Sequence, residues 1–249
     1  MFTVKISHLR RSLTWSLIAL AAVLTILLTG CARGSGNVVT EKRDVSGFDR
    51  IEIRGSGDLV VEQGSAESVT VRADDNLMRY ITTEVSGSTL VIQVGRGAPM
   101  AIMPSEPIKY TVQVKDLSGL TLSGSTEADI KDLDSADLEV EVSGSGDVRI
   151  RHLEADSLTY TLSGSGSAEM SGIADRQEVR ISGSGSYDAA DLESKTAKVT
   201  ISGSGSADLW VEDELRIDVS GSGSVSYYGS PAVSQSVSGS GSVEGLGKK

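Results

Sequence analysis

A right-handed parallel β-helix, an all-β solenoid, is the fold this sequence predicts, and three observations predict it. Six Ser-Gly-Ser-Gly runs begin at Ser143, Ser163, Ser182, Ser202, Ser220 and Ser238, spaced 20, 19, 20, 18 and 18 residues apart. Between the runs apolar residues alternate with polar ones, as in Leu138, Val140, Val142, Val148 and Ile150, the period of a strand with one buried face. At ~3.3 Å per residue, a unit of 18–20 residues traces a closed path of roughly 60–65 Å, one coil of a small solenoid stacked at ~4.8 Å. The right hand follows from the general preference of parallel crossovers. A sandwich of hairpins would instead place turn signals every 8–12 residues or so. Glycine and serine make up 67 of 249 residues, which resembles a linker, but 39% hydrophobic and 23% charged residues mark a folded chain.

Residues 1–30 read as an export signal. Lys5, Arg10 and Arg11 precede an almost wholly apolar run from Leu13 to Leu28, too short for the ~20 residues of a permanent anchor. The junction Leu28-Thr29-Gly30-Cys31 resembles the bacterial lipobox, in which a small residue admits the peptidase and the cysteine sulfur carries the diacylglycerol. Cys31 is the only cysteine, so it is the candidate lipidation residue, and no intramolecular disulfide or cysteine zinc cluster is available. Two or more acyl chains would anchor the mature chain stably. Ala32 at the next position resembles the enterobacterial pattern for the outer membrane, facing either the periplasm or the exterior. Residues 31–44 are polar with small residues and read as a lipidated tether.

Residues 45–117 form an irregular β part. Ile51-Glu-Ile53-Arg-Gly55-Ser-Gly57-Asp-Leu59 is an early copy of the coil, with Asp58 where Asp147 stands later. Val69/Val71, Leu90/Ile92/Val94 and Val112/Val114 read as strands, and Pro104 and Pro107 mark a bend. Residues 118–249 are the regular part, opened by a degenerate copy at Ser123. The two glycines of each coil, such as Gly144 and Gly146, share the parity of the inward positions. They mark places where opposite walls approach too closely for a Cβ, or where the strand bends.

Ser46-Gly47-Phe48-Asp-Arg-Ile51, Leu90-Val-Ile92, the Ser-Gly-Ser-Gly coils and Tyr228-Gly229-Ser230-Pro231 together resemble one bacterial family. It is named putative auto-transporter adhesin, head GIN domain, and the resemblance covers roughly residues 45–243. What it implies is a β-helical fold and a surface-exposed lipoprotein; it brings no catalytic residues.

Little in the composition points to catalysis. A net charge of −11 argues against nucleic acid. His152 sits alone in a charged loop, since His8 lies in the signal. A repetitive calcium roll would need carboxylates where this chain has serines, so no cofactor or metal is expected. Loop acids (Asp132, Asp134, Glu154, Asp156, Asp191, Glu193, Glu212, Asp213 and Glu214) could serve a polysaccharide lyase or hydrolase, or could solvate an acidic surface. Trp210 and Tyr227-Tyr228 are candidates for sugar stacking or for capping the core.

The unusual surface is serine. Ser143, Ser163, Ser182, Ser202, Ser220 and Ser238 should form one outward column, with Ser145, Ser165, Ser184, Ser204, Ser222 and Ser240 beside it. Such a lattice could match a glycan or a host or neighbouring surface; equally, serine suits a tight solvated bend. The expected role is therefore a non-enzymatic lipoprotein of the cell envelope serving adhesion, structure or ligand presentation, with the membrane as partner through its anchor. A carbohydrate-active enzyme is the alternative, and an accessory subunit of an envelope-sensing system a weaker one.

Overall fold

The computed structural model describes residues 31–98 and 101–249; the export signal read in residues 1–30 lies outside them. The first strands are β1 (Cys31–Arg33), β2 (Val38–Arg43), β3 (Arg50–Gln63) and β4 (Ser68–Asp74). A single 3-10 turn at Met78–Tyr80 leads to β5 (Ile81–Ser86), β6 (Thr89–Val94), β7 (Ala101–Met103) and β8 (Lys109–Val114). Long bent strands follow, one per coil: β9 (Gly119–Gly144), β10 (Asp147–Gly164), β11 (Ser167–Gly183), β12 (Ser186–Gly203) and β13 (Ser206–Gly221). The last turns are β14 (Ser224–Tyr228), β15 (Ala232–Gly239) and β16 (Ser242–Gly247).

From β3 through β9 to β16 the coils pair in parallel, each on the one before it, which is the parallel β-helix the repeat predicts. Alternation in the sequence becomes stacking in the core. Val140, Tyr160, Val179, Val199 and Ile217 lie in register in successive coils, as do Val142, Leu162, Ile181, Ile201 and Val219. All ten are buried. Volume is balanced along the stack: the large Tyr187 sits between Ala168 and Ala207, as dense packing requires.

Three buried positions of the coils, Thr126, Gln177 and Ser194, break the apolar rule, and Gln177 is the largest of them. Gln177 is buried in a column otherwise built from Leu138, Leu158, Ala197 and Leu215. Its Oε1 accepts from the Tyr187 hydroxyl at 2.8 Å, and its Nε2 donates to the Leu192 carbonyl at 3.3 Å. Tyr187 stacks on Tyr160 at 5.1 Å between ring centroids. Burial pushes both phenols well above the usual tyrosine range.

The glycines act differently from the close-wall expectation. The first glycine of each run (Gly144, Gly164, Gly183, Gly203, Gly221, Gly239) is not fully inward, and its φ lies between +119° and +141°. A Cβ there would stand 2.1–2.4 Å from the carbonyl oxygen of the stacked glycine one coil earlier. What approaches too closely is thus the adjacent coil, not the opposite wall. That carbonyl accepts the next serine N–H, as from Ser165 to Gly144 at 2.9 Å and Ser204 to Gly183 at 2.8 Å. Backbone hydrogen bonds between coils therefore continue through the corner that separates one strand from the next. The second glycine, such as Gly205 or Gly223, is buried, and a Cβ would meet both a neighbouring carbonyl and an isoleucine of the previous coil.

The segment expected to be a tether is instead largely structured. β2 pairs antiparallel with β4, and β1 pairs with β7. Gly36 N–H donates to buried Asp74 at 2.8 Å, Ser35 Oγ to Asp75 at 2.5 Å, and Asn76 Nδ2 to the Arg33 carbonyl at 2.7 Å. The polar composition that suggests a tether is spent on these contacts.

Candidate functional site

The serines occupy the corner that follows each wall of paired strand. Ser143, Ser163, Ser182, Ser202, Ser220 and Ser238 are in register coil upon coil. All but half-buried Ser143 are exposed. Ser145, Ser165, Ser184, Ser204, Ser222 and Ser240 are exposed beside them, each tied by its N–H to the preceding coil's first glycine. Because φ at that glycine is fixed by stacking, the flanking hydroxyls are carried on a rigid backbone.

The structure adds a third column that the period implies but that was not read from the sequence. Ser167, Ser186, Ser206, Ser224 and Ser242 follow the second glycine and are also in register. Toward the N-terminal coils this column changes chemistry, continuing through Asp147 and Glu127 to Asp58. Ser167 donates to Asp147 Oδ1 from its N–H at 2.8 Å and from its hydroxyl at 2.5 Å. The sequence signal was the residue after each Ser-Gly-Ser-Gly run, which is Asp once and Ser five times.

At this acidic end a cleft of about 310 Å³ opens. Asp58, Glu127 and Asp147 line it together with Ser56, Ser125 and Ser145, and Pro104 and Pro107 stand across from them. The proline bend therefore borders the end of the serine corner, and side chains far apart in sequence meet there.

The remaining acids lie away from this cleft. Asp132, Asp134, Glu154, Asp156, Asp191 and Glu212 to Glu214 are exposed on the bends opposite the corner, and Glu193 is half-buried. His152 is exposed and in register with Asp132. Cross-coil ion pairs are made by other acids: Arg151 with Asp129 at 2.5 Å, Lys195 with Asp175 at 2.8 Å, and Lys198 with Glu178 at 3.0 Å. Exposed pairs of this kind each contribute about 0–1 kcal/mol. Among the described residues, no three His, Cys, Asp or Glu side chains are grouped so as to hold a metal ion.

Trp210 and Tyr228 are in register in adjacent coils, and Tyr227 packs on the edge of the core. Cys31 is a free, exposed thiol in β1.

Comparison with known proteins adds to this picture. A family model described as putative auto-transporter adhesin, head GIN domain, matches residues 47–231. A crystal structure of a putative adhesin from Bacteroides fragilis is similar with a TM-score of 0.80 and 22% identity, covering 86% of this chain and 99% of that one. A protein of Parabacteroides distasonis described as a putative lipid binding protein is 28% identical with a TM-score of 0.74, over 87% and 99% of the two chains. A second from that organism, a putative adhesin, is 27% identical with a TM-score of 0.67, over 87% and 100%. No curated protein matches the sequence.

Proposed function

This chain belongs to the family described as putative auto-transporter adhesin, head GIN domain, and from that premise we propose that it is a lipid-anchored, non-enzymatic head of the bacterial envelope that presents its serine corner to a repeating ligand. The observation that carries the reading is the register of the corner, where exposed hydroxyls repeat once per coil, at ~4.8 Å, along six coils. A glycan or neighbouring cell surface with its own regular hydroxyls is the ligand class such a lattice fits. Anchoring through Cys31 is supported by the lipobox-like Leu28-Thr29-Gly30-Cys31 and by the exposure of that thiol. Docking of residues 33–37 onto Asp74, Asp75 and Asn76 leaves little slack, so the head would ride close to the bilayer.

Distributed binding has a distinctive signature, since each hydroxyl contributes only ~0.5–1.5 kcal/mol net. Replacing Ser163, Ser182 and Ser202 together with Lys should weaken attachment to cells or arrayed glycans at least about tenfold, while each single change is mild. Circular dichroism must show the triple variant folded. Undiminished attachment by the folded triple variant sinks the proposal. For the anchor, Cys31→Ser should abolish fatty-acid incorporation seen by mass spectrometry; a wild-type chain without acyl mass removes that part of the reading.

The carboxylates Asp58, Glu127 and Asp147 in the cleft favour a second reading, a carbohydrate-active enzyme, because acid–base work on sugars uses paired acids. Shortening of a polysaccharide by purified protein, lost in Glu127→Gln, would put that reading first.

A further inference from the structure

Trp210 and Tyr228 do not face solvent alone. The Lys249 ammonium lies 5.2 Å from the centroid of the Trp210 ring and 5.5 Å from that of Tyr228. The same nitrogen donates to the Asp191 carboxylate and to the Ala190 carbonyl. Lys249 lies beyond the last strand, so no sheet pairing places it there. Its side chain is only 30% exposed, against 49–83% for the other ion-paired lysines, Lys115, Lys131, Lys195 and Lys198. The Trp210 ring is oriented independently of it, by donating from Nε1 to Glu212 at 2.6 Å.

Two aromatic rings around a cation, a carboxylate and a carbonyl are the chemistry of ammonium recognition. We infer that Trp210, Tyr228, Asp191 and the Ala190 carbonyl form a binding site for a primary alkylammonium, the group carried by a lysine side chain, and that Lys249 is its built-in occupant. A primary ammonium fits better than a quaternary one, because the two oxygen acceptors need N–H donors that a quaternary group lacks. Held on the same chain, Lys249 competes at a millimolar-scale effective concentration. An outside ligand enters only when Lys249 leaves.

Trp210 is the sole tryptophan of the chain once residues 1–30 are removed, and Trp15→Phe keeps it so in any unprocessed chain. In that background Lys249→Ala and Lys249→Gln should change Trp210 emission, with circular dichroism unchanged. Titration with Nα-acetyl-lysine methylamide should then reverse the change and saturate. The parent with Lys249 should need at least about ten times more probe. Asp191→Asn should flatten the titration, and choline should bind about tenfold more weakly than the lysine probe. Emission indifferent to both Lys249 variants overturns the inference. So does equal response of parent and variant, an unaffected Asp191→Asn titration, or unfolding of both Lys249 variants.

Discussion

Residues 31–114 and residues 119–247 solve the same problem, burying one face of a sheet, by different means. The first region mixes parallel and antiparallel pairing, with β4 lying between β2 and β8 and β6 between β3 and β5. Its irregular ends are held by particular polar contacts. Asp74 alone accepts from Gly36 N–H, Ser105 N–H and Ser105 Oγ. The second region repeats one corner and needs no such device, because each coil supplies the next with the same carbonyl, the same glycine and the same wall. Repetition makes stability nearest-neighbour in character. It also makes a defect in one corner a defect in two interfaces.

The largest test of this contrast is at glycine. Gly203→Val must adopt a positive φ and push into the Gly183 carbonyl, so a loss of about 3–5 kcal/mol is expected in chemical denaturation. Gly87→Ala in the first region also has a positive φ but meets nothing within 4 Å, and should cost about 1–2 kcal/mol. Outward Ser204→Val should stay within about 0.5 kcal/mol. Equal losses at Gly203 and Gly87 would show that φ alone sets the requirement and that stacking does not.

Next comes Asp74→Ala, which removes the buried carboxylate that accepts from Gly36 and Ser105. A cost of about 1–3 kcal/mol is expected, read most directly as faster proteolysis at Arg33 with the coils intact. Acid should act on the same region. Hydrogen bonds from Ser105 hold the Asp74 carboxyl below its ordinary range, those from Ser35 do so for Asp75, and the Gly47 N–H does so for Glu67. In the coils this holds for Glu178, through Lys198. Carboxyls with lowered values in the folded chain stabilise it above their unfolded value of ~4, and that stability is lost as pH falls through the folded values. Hydrogen exchange at pH 3 compared with pH 6 should therefore open residues 34–75 before the coils. Simultaneous loss everywhere would mean that the two regions unfold as one unit.

The smallest effect separates two tyrosines within the regular region. Tyr187→Phe removes the donor to Gln177 and should cost about 1–2 kcal/mol. Tyr160 Oη is buried without a hydrogen-bond partner, so Tyr160→Phe should be neutral or slightly stabilising in the same denaturation series. Matching losses would place an unseen partner on Tyr160.

Most of the fold could be read from the sequence because a solenoid writes its geometry along the chain. A period near 20 gives the coil, a period of 2 gives the inner wall, and residues one period apart must stack. That reasoning places Val140, Tyr160, Val179 and Val199 in one column, and aligns both serine columns. It extends equally to Ser167, Ser186 and Ser206, which stand one period apart. Long-range meetings without a period are not legible in this way. Asp74 reaching Gly36 and Ser105 belongs to this class, as do Pro104 and Pro107 bordering Asp58 and Asp147, and Lys249 reaching Trp210.

The sequence by itself determined the coil, the inward residues and the corner, since each follows from local spacing and from which residues water excludes. Tertiary structure decided why the corner glycine is obligatory, because the clashing carbonyl belongs to a residue about 20 positions earlier, at a distance that only stacking sets. It likewise decided that Gln177 is a core residue, through a tyrosine hydroxyl ten positions on, and that the acids of three coils share one cleft. Hydrophobic burial acts through a residue's own type and can be read one position at a time. Steric exclusion and hydrogen-bond satisfaction act between pairs, and the partners are named only when the chain has closed on itself.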